Sequence, residues 1–200
     1  MLRKSQDAVQ NDYNQQIMKR LFLLAVLLLT FGGLSAQSIE ELEARAAKGD
    51  VEAQVALADY YFDGENTDFA KAAEWYMKAA QQNNPKAQFG LGYCYFLGAG
   101  IKPNMDEALV WFRRAAEQGN ALANSYLGFL YMRGIGMQCD YDVAVQYLMP
   151  AAEVGDAEAQ YSLALCYFNG LGVERSDEEA MRWVALAAEG GHAEAKKIAE

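Results

Sequence analysis

The sequence predicts an all-α fold, a solenoid of stacked helix-turn-helix repeats, and three observations predict it. Paired small and amide residues recur at Ala53-Gln54, Ala87-Gln88, Ala123-Asn124, Ala159-Gln160 and Ala195-Lys196, at spacings of 34, 36, 36 and 36 residues. Inside each unit the apolar residues fall at offsets of four, on one helical face. Glycine outnumbers proline 17 to 3, which suits a chain with many helix ends better than one with polyproline linkers. A period of this length is the mark of a repeat architecture.

The first helix of each unit carries Leu57, Leu91, Leu127 or Leu163, then a small residue (Ala58, Gly92, Gly128, Ala164), then Tyr61, Tyr95, Tyr131 or Tyr167. Gly64, Gly98, Gly134 and Gly170 close these helices, since glycine takes the left-handed conformation without steric cost. A second glycine and an apolar residue follow in three units, as Gly100-Ile101, Gly136-Met137 and Gly172-Val173. Asp68, Asn104, Asp140 and Ser176 are N-cap candidates for the second helix. Glu107 and Glu179 stand three residues later, where a carboxylate is expected to reach back to a free backbone amide. Along the second helices run Ala72, Ala108, Ala144 and Ala180, the aromatics Trp75, Trp111, Tyr147 and Trp183, and a closing Ala-Ala pair in every unit. Small residues opposite large ones let two helices approach closely, and one pair alone has no way to bury such a face.

Stability is therefore expected from stacking of four full repeats, at about residues 50–83, 84–119, 120–155 and 156–191. The helical segments Glu40–Lys48 and Ala193–Glu200 are half-repeats at either end, and the domain spans 37–200. Two departures stand out. The turn of repeat one shortens to Gly64-Glu65-Asn66-Thr67-Asp68, and Pro150 falls inside a second helix, where it is expected to cost about 3 kcal/mol or bend the helix.

Ahead of the repeats, Met18-Lys19-Arg20 precedes the apolar run Leu21–Leu29 and the small-residue stretch up to Ala36. That is the layout of a secretory signal peptide over 18–36, too short for the roughly 20 residues of a spanning helix. The expected product is exported, periplasmic or extracellular, with no membrane insertion after cleavage following Ala36; retained, the same segment is an anchor. The polar residues 1–17 lack apolar periodicity and are expected to be disordered.

The net charge is -10, and residues 37–200 carry 13 Lys and Arg against 25 Asp and Glu. Such a surface repels phosphate backbones, so no nucleic-acid partner is expected.

Catalysis needs a nucleophile or a tuned acid and base within reach of one another, and no such set is legible. The single histidine, His192, holds the position that Asp50, Asn84, Asn120 and Asp156 hold elsewhere and reads as a helix-start residue. No metal site and no cofactor is expected: a lone histidine completes no ligand set, and the acidic turn Asp63–Asp68 misses calcium-loop spacing. Cys94 and Cys166 share a core position two repeats apart and lie too far apart to pair. Cys139 either meets Cys166 or stays free.

The strings Leu91-Gly92-Tyr93-Cys94-Tyr95, Gly98-Ala99-Gly100-Ile101 and Trp111-Phe112-Arg113-Arg114-Ala115-Ala116-Glu117-Gln118-Gly119 resemble the Sel1-like repeat (SLR), a relative of the tetratricopeptide repeat, over about residues 40–200. The resemblance implies an αα superhelical solenoid and an adaptor or scaffold that binds protein partners, not an enzyme. A cysteine-rich secreted branch of the family is linked to β-lactam binding or hydrolysis, which makes a secreted hydrolase of β-lactam or cell-wall material the alternative. Its paired cysteines are absent, and no serine has a lysine three residues on.

The first helices of related superhelices line the inner curve, which makes three rows candidates for contact with a protein or peptide. Gln54, Gln88, Asn124 and Gln160 recur in every repeat and suit either a peptide backbone or a bond between neighbouring helices. Val55, Phe89, Ser125 and Tyr161 form a varying row, and Asp59, Tyr93, Phe129 and Leu165 another. Their aromatics suit either a partner's anchor or packing between repeats. Oligomeric state and partner identity are not encoded in these patterns.

Overall fold

Helix follows helix in the order the period predicts. The computed structural model describes residues 39–63 and 67–200, with ten helices and no strand among them. The expected extension (1–17), the expected signal peptide (18–36) and the turn residues Gly64, Glu65 and Asn66 lie outside the described residues. The helices are α1 (Ile39–Ala47), α2 (Val51–Asp63), α3 (Phe69–Gln81), α4 (Pro85–Leu97), α5 (Met105–Glu117), α6 (Ala121–Arg133), α7 (Tyr141–Glu153), α8 (Ala157–Asn169), α9 (Asp177–Glu189) and α10 (Ala193–Ala199). Repeats one to four are the pairs α2/α3, α4/α5, α6/α7 and α8/α9, all helices of 13 residues. Residues 42–200 form one compact unit in which each helix packs chiefly on its neighbours in the chain, and α6 also touches α8 directly.

Repeats two to four end and restart by the same bonds, and repeat one shares the restart. Gly98, Gly134 and Gly170 close the first helices at φ 71°, 63° and 66°. Asp68, Asn104, Asp140 and Ser176 then accept from backbone N–H groups in the first turn of the second helices, at 3.0–3.3 Å. The expected return bond from Glu107 and Glu179 is not made. The amide it would reach is already spent: the N–H groups of Asp68, Asn104, Asp140 and Ser176 donate to the carbonyls of Tyr61, Tyr95, Tyr131 and Tyr167 at 2.8–3.1 Å. Glu179 pairs instead with Arg182 at 3.0 Å. Thus the recurrent tyrosine supplies its backbone to the turn, and the bond survives even across the shortened turn of repeat one.

Close approach explains the small residues. A Cβ on Gly92 would run into the Phe112 ring, and one on Gly128 into the Leu148 side chain, so these glycines admit the large residue of their own second helix. Leu57, Leu91, Leu127 and Leu163 are fully buried beside them. Such fully buried leucines contribute about 2–5 kcal/mol each relative to alanine.

The second glycine of the turn does something the sequence did not announce. Gly100, at φ 71°, lies against the backbone of Phe69, and Gly172, at φ 67°, against that of Tyr141, in each case the start of the previous repeat's second helix. No side chain fits there.

Pro150 does not break α7, which runs unbroken from Tyr141 to Glu153. The proline is exposed, as is Gln146 one turn earlier, so the carbonyl it orphans is on the side of water. Lys78 and Arg114 at the equivalent positions cover Trp75 and Trp111, with charge-to-ring distances of 3.9 and 4.6 Å. In repeat three Tyr147 stacks on Tyr131 instead (5.7 Å, 12° between planes), and no covering cation is needed.

Candidate interaction surface

The helical period sorts each first helix into a buried side and an opposite side. In α4 the opposite side is centred on Lys86, Tyr93 and Leu97, with Phe89 and Phe96 leaning toward repeat three. Its counterparts are Glu52, Asp59 and Asp63 in repeat one, Leu122, Phe129 and Arg133 in repeat three, and Glu158, Leu165 and Asn169 in repeat four.

The amide row is structural. Gln54, Gln88, Asn124 and Gln160 are buried. Gln54 Nε2 donates to the Ala46 carbonyl and Gln160 Nε2 to that of Ala152, both at 3.0 Å, tying each first helix to the end of the helix before it. Gln54 Oε1 accepts from Gln82 Nε2 at 2.8 Å, and Gln88 Oε1 from Gln118 Nε2 at 2.7 Å. Gln88 Nε2 in turn donates to Asn83 Oδ1 at 3.0 Å, and Asn83 occupies the left-handed position that glycine fills elsewhere. Val154 and Gly190 replace the two glutamine donors in the later repeats, and Gln160 Oε1 is buried with no hydrogen-bond donor among the described residues. Gln118→Ala is expected to cost about 1–3 kcal/mol by orphaning Gln88 Oε1. A urea unfolding midpoint unchanged by that substitution would show that the amides are not coupled.

The first varying row is mostly interior, as is Tyr93 of the second row, which is the packing alternative of the two. Phe89 and Tyr93 are 4% and 1% exposed. Their rings stack at 6.1 Å and meet Tyr126 of repeat three edge-on, each at 5.7 Å. Ser125 is buried and donates its hydroxyl to Asp156, the N-cap of α8, at 2.9 Å. Tyr161 is half-buried and stacks on His192, the N-cap of α10, at 4.1 Å. The row joins each repeat to the next. Phe129 and Leu165 of the second row remain half-exposed, with Arg133 over the Phe129 ring at 5.6 Å.

Asp59 is a junction. It accepts from Tyr76 Oη and Lys86 Nζ, both at 2.6 Å, linking α2 to α3 and to α4. One turn on, partial burial of the carboxyl and then the Asp59 charge push Asp63 up to about 6. Asp63 is exposed and has no cationic partner among the described residues.

The remaining reactive groups serve the fold. His192 Nδ1 accepts from the Ala195 amide at 3.2 Å, the helix-start role its position implies, while Nε2 lies 3.3 Å from Glu158. The three thiols are free: Cys94 and Cys166 are buried, which pushes them up to about 12 and 11, and Cys139 is exposed and donates to the Met132 carbonyl. Among the described residues no group of three or more His, Cys, Asp or Glu is placed to hold a metal ion, and no helix is long and apolar enough to cross a membrane.

Asp156 offers a test of how tightly the joints are closed. Burial raises its carboxyl above the ordinary range, against the opposing bonds from Ala159 and Ser125. A carboxyl raised on folding opposes the fold while ionised, so its contribution improves as pH falls through the raised folded value toward the unfolded one. Asp156→Asn keeps the cap, as Asn120 does in repeat three. The variant is expected to be more stable than the parent at pH 7 and to lose that advantage by pH 4, read from urea midpoints across that range.

Comparison with known proteins places these features. The Sel1 repeat family model matches residues 51–84, 85–120, 121–156 and 157–192. A Sel1 repeat protein from Oxalobacter formigenes is 37% identical over 80% of this chain and 64% of its own, with a TM-score of 0.73. The protective antigen c5321 of uropathogenic Escherichia coli, which displays an SLR fold, is 33% identical over 80% of this chain and 35% of its own, with a TM-score of 0.75. The chitin synthase regulator SKT5 of Saccharomyces cerevisiae is 37% identical over 83 residues, 40% of this chain and 12% of its own. The chain thus spans less than two thirds of each of these relatives. Four matched repeats over most of its length, in register with the four observed helix pairs, make this chain a member of the Sel1 repeat family.

Proposed function

We propose that this chain is an exported adaptor that holds a protein or peptide partner on the face formed by its first helices. The observation that carries the reading is the division of labour among side chains. The side chains of Gln54, Gln88 and Gln160, the buried rings and the histidine join neighbouring helices and repeats, while Leu97, Leu122, Phe129, Arg133 and Leu165 stay accessible on the first helices. The contact between α6 and α8 supports placing that side on the inner curve. A regulator of an enzyme among the relatives supports a role through partners. The segment from Met18 to Ala36 supports export. No observation favours the hydrolase alternative.

Affinity capture with the full chain from an envelope extract tests the reading. A partner is expected whose retention drops when Leu122 and Phe129 are changed to serine in a variant that still melts cooperatively. Retention of no protein above the background of an unrelated helical repeat would overturn it, and turnover of a chromogenic β-lactam or of peptidoglycan fragments would replace it with the hydrolase.

A further inference from the structure

The inner side of the first helices changes character along the solenoid. Repeat one presents Glu52, Asp59 and Asp63, repeat two Leu97, with Tyr93 buried and Lys86 already drawn to Asp59, repeat three Leu122, Phe129 and Arg133, and repeat four Leu165 and Asn169, with Glu158 beside His192. Asp59 is satisfied by Lys86 and Tyr76, and Glu158 lies 3.3 Å from His192 Nε2, whereas Asp63 has no cation beside it among the described residues. Over repeats two to four the apolar Leu97, Leu122, Phe129 and Leu165 stay accessible, and Arg133 lies over the Phe129 ring rather than on a carboxylate. A segment that is apolar along its length leaves Asp63 uncompensated, and an acidic segment is repelled by repeat one and by the excess of carboxylates over the domain.

Resting on the adaptor reading above, we propose that the occupant of this side is an extended peptide segment that sets a Lys or Arg beside Asp63 and a large apolar side chain against Leu122, Phe129 and Leu165. First helices of successive repeats lie about 10 Å apart, so the two anchors are separated by about 20 Å, or about six residues of extended chain. The raised Asp63 carboxyl fits this assignment, because a carboxylate held partly out of water beside another gains most from an incoming cation. The gradient also fixes direction: the basic end lies on repeat one and the apolar end on repeats three and four.

The test uses the full chain and fluorescein-labelled ten-residue peptides with Arg and Phe six residues apart, in both orders, on a Gly/Ser/Asn background. Fluorescence anisotropy is expected to show one order binding at least about tenfold tighter than its Arg→Glu form and its Phe→Ser form. Asp63→Asn is expected to weaken the Arg peptide about threefold to tenfold and leave its Arg→Ser form unchanged, with the thermal midpoint at pH 7 held or raised, because a carboxyl raised on folding opposes the fold while ionised. Equal effects of Asp63→Asn on both peptides would overturn the assignment. In a second arm, Leu97→p-benzoylphenylalanine and Val110→p-benzoylphenylalanine are irradiated in cells, and the crosslinked segment is sequenced by mass spectrometry. A basic and apolar segment captured from position 97 supports the proposal. Capture from position 110 alone leaves the adaptor reading standing and removes this surface from it. Crosslinks from position 97 to a second copy, to this chain's own residues 1–38 or to an acidic segment overturn the proposal, and crosslinks from neither position overturn both readings.

Discussion

Gly100→Ala is expected to lower the stability of the folded chain by about 2–5 kcal/mol, far more than its size suggests. About 1–2 kcal/mol comes from forcing an L-residue into the left-handed region, and about 1–3 kcal/mol from overpacking. The overpacking arises because the new Cβ would sit on the backbone of Phe69, which has no rotamer to yield. Related positions grade the effect. Gly172 meets the backbone of Tyr141 and is expected to cost as much, whereas Gly136 meets the flexible Met105 side chain and is expected to cost less. Gly119 shares a positive φ of 78° with nothing within 4 Å, so Gly119→Ala reports the backbone cost alone, about 1 kcal/mol. Urea unfolding of the four variants checks the order. Equal losses at Gly100 and Gly119 would show that the turn of one repeat does not bear on the helix of the one before it. In a solenoid that joint matters beyond its own contacts, because each repeat is stable only through its interfaces with its neighbours.

How much of this was legible in the sequence depends on whether a feature repeats within one unit or arises between two. The period, the closing glycines Gly98, Gly134 and Gly170, the caps at Asp68, Asn104, Asp140 and Ser176 and the helix-start role of His192 belong to single units. They read correctly because local chemistry decides them. The return bond expected of Glu107 and Glu179 failed because the competing acceptor is a tyrosine carbonyl, and a carbonyl leaves no trace in residue identity. The amide ladder left one: Gln82 and Gln118 stand at matching positions opposite Gln54 and Gln88, while Val154 and Gly190 stand opposite Asn124 and Gln160. Variation along the row of Val55, Phe89, Ser125 and Tyr161 suggested recognition, yet it follows what the next repeat supplies. Ser125 reaches Asp156, Tyr161 reaches His192, and Phe89 reaches Tyr126, which occupies a position held by Ala56, Gly90 and Ser162 elsewhere. Volume shared across a joint varies in one repeat only with its neighbour, so aligning the repeats one above another hides it.

Phe112→Ala is expected to cost about 3–5 kcal/mol, among the largest losses of any single truncation in the chain. Its ring is fully buried, lies beneath Gly92, and meets Phe89 at 5.6 Å and Tyr126 at 5.2 Å, so one side chain serves both the inside of repeat two and its joint with repeat three. Phe89→Ala is expected to cost nearly as much for the same reason, since it opens a cavity against Phe112, Tyr93 and Tyr126 together. Because the two rings share that space, the double variant is expected to lose less than the sum of the singles, by about 0.5–3 kcal/mol. This decides how binding experiments are read. Loss of a partner on Phe89→Ala accompanied by a lowered melting midpoint reports a broken joint, whereas loss of a partner on Leu122→Ser with the midpoint held reports the surface itself. Additive losses at positions 89 and 112 would mean that repeats two and three are not joined through these rings, and the inner side would then have no rigid frame on which to present its apolar residues.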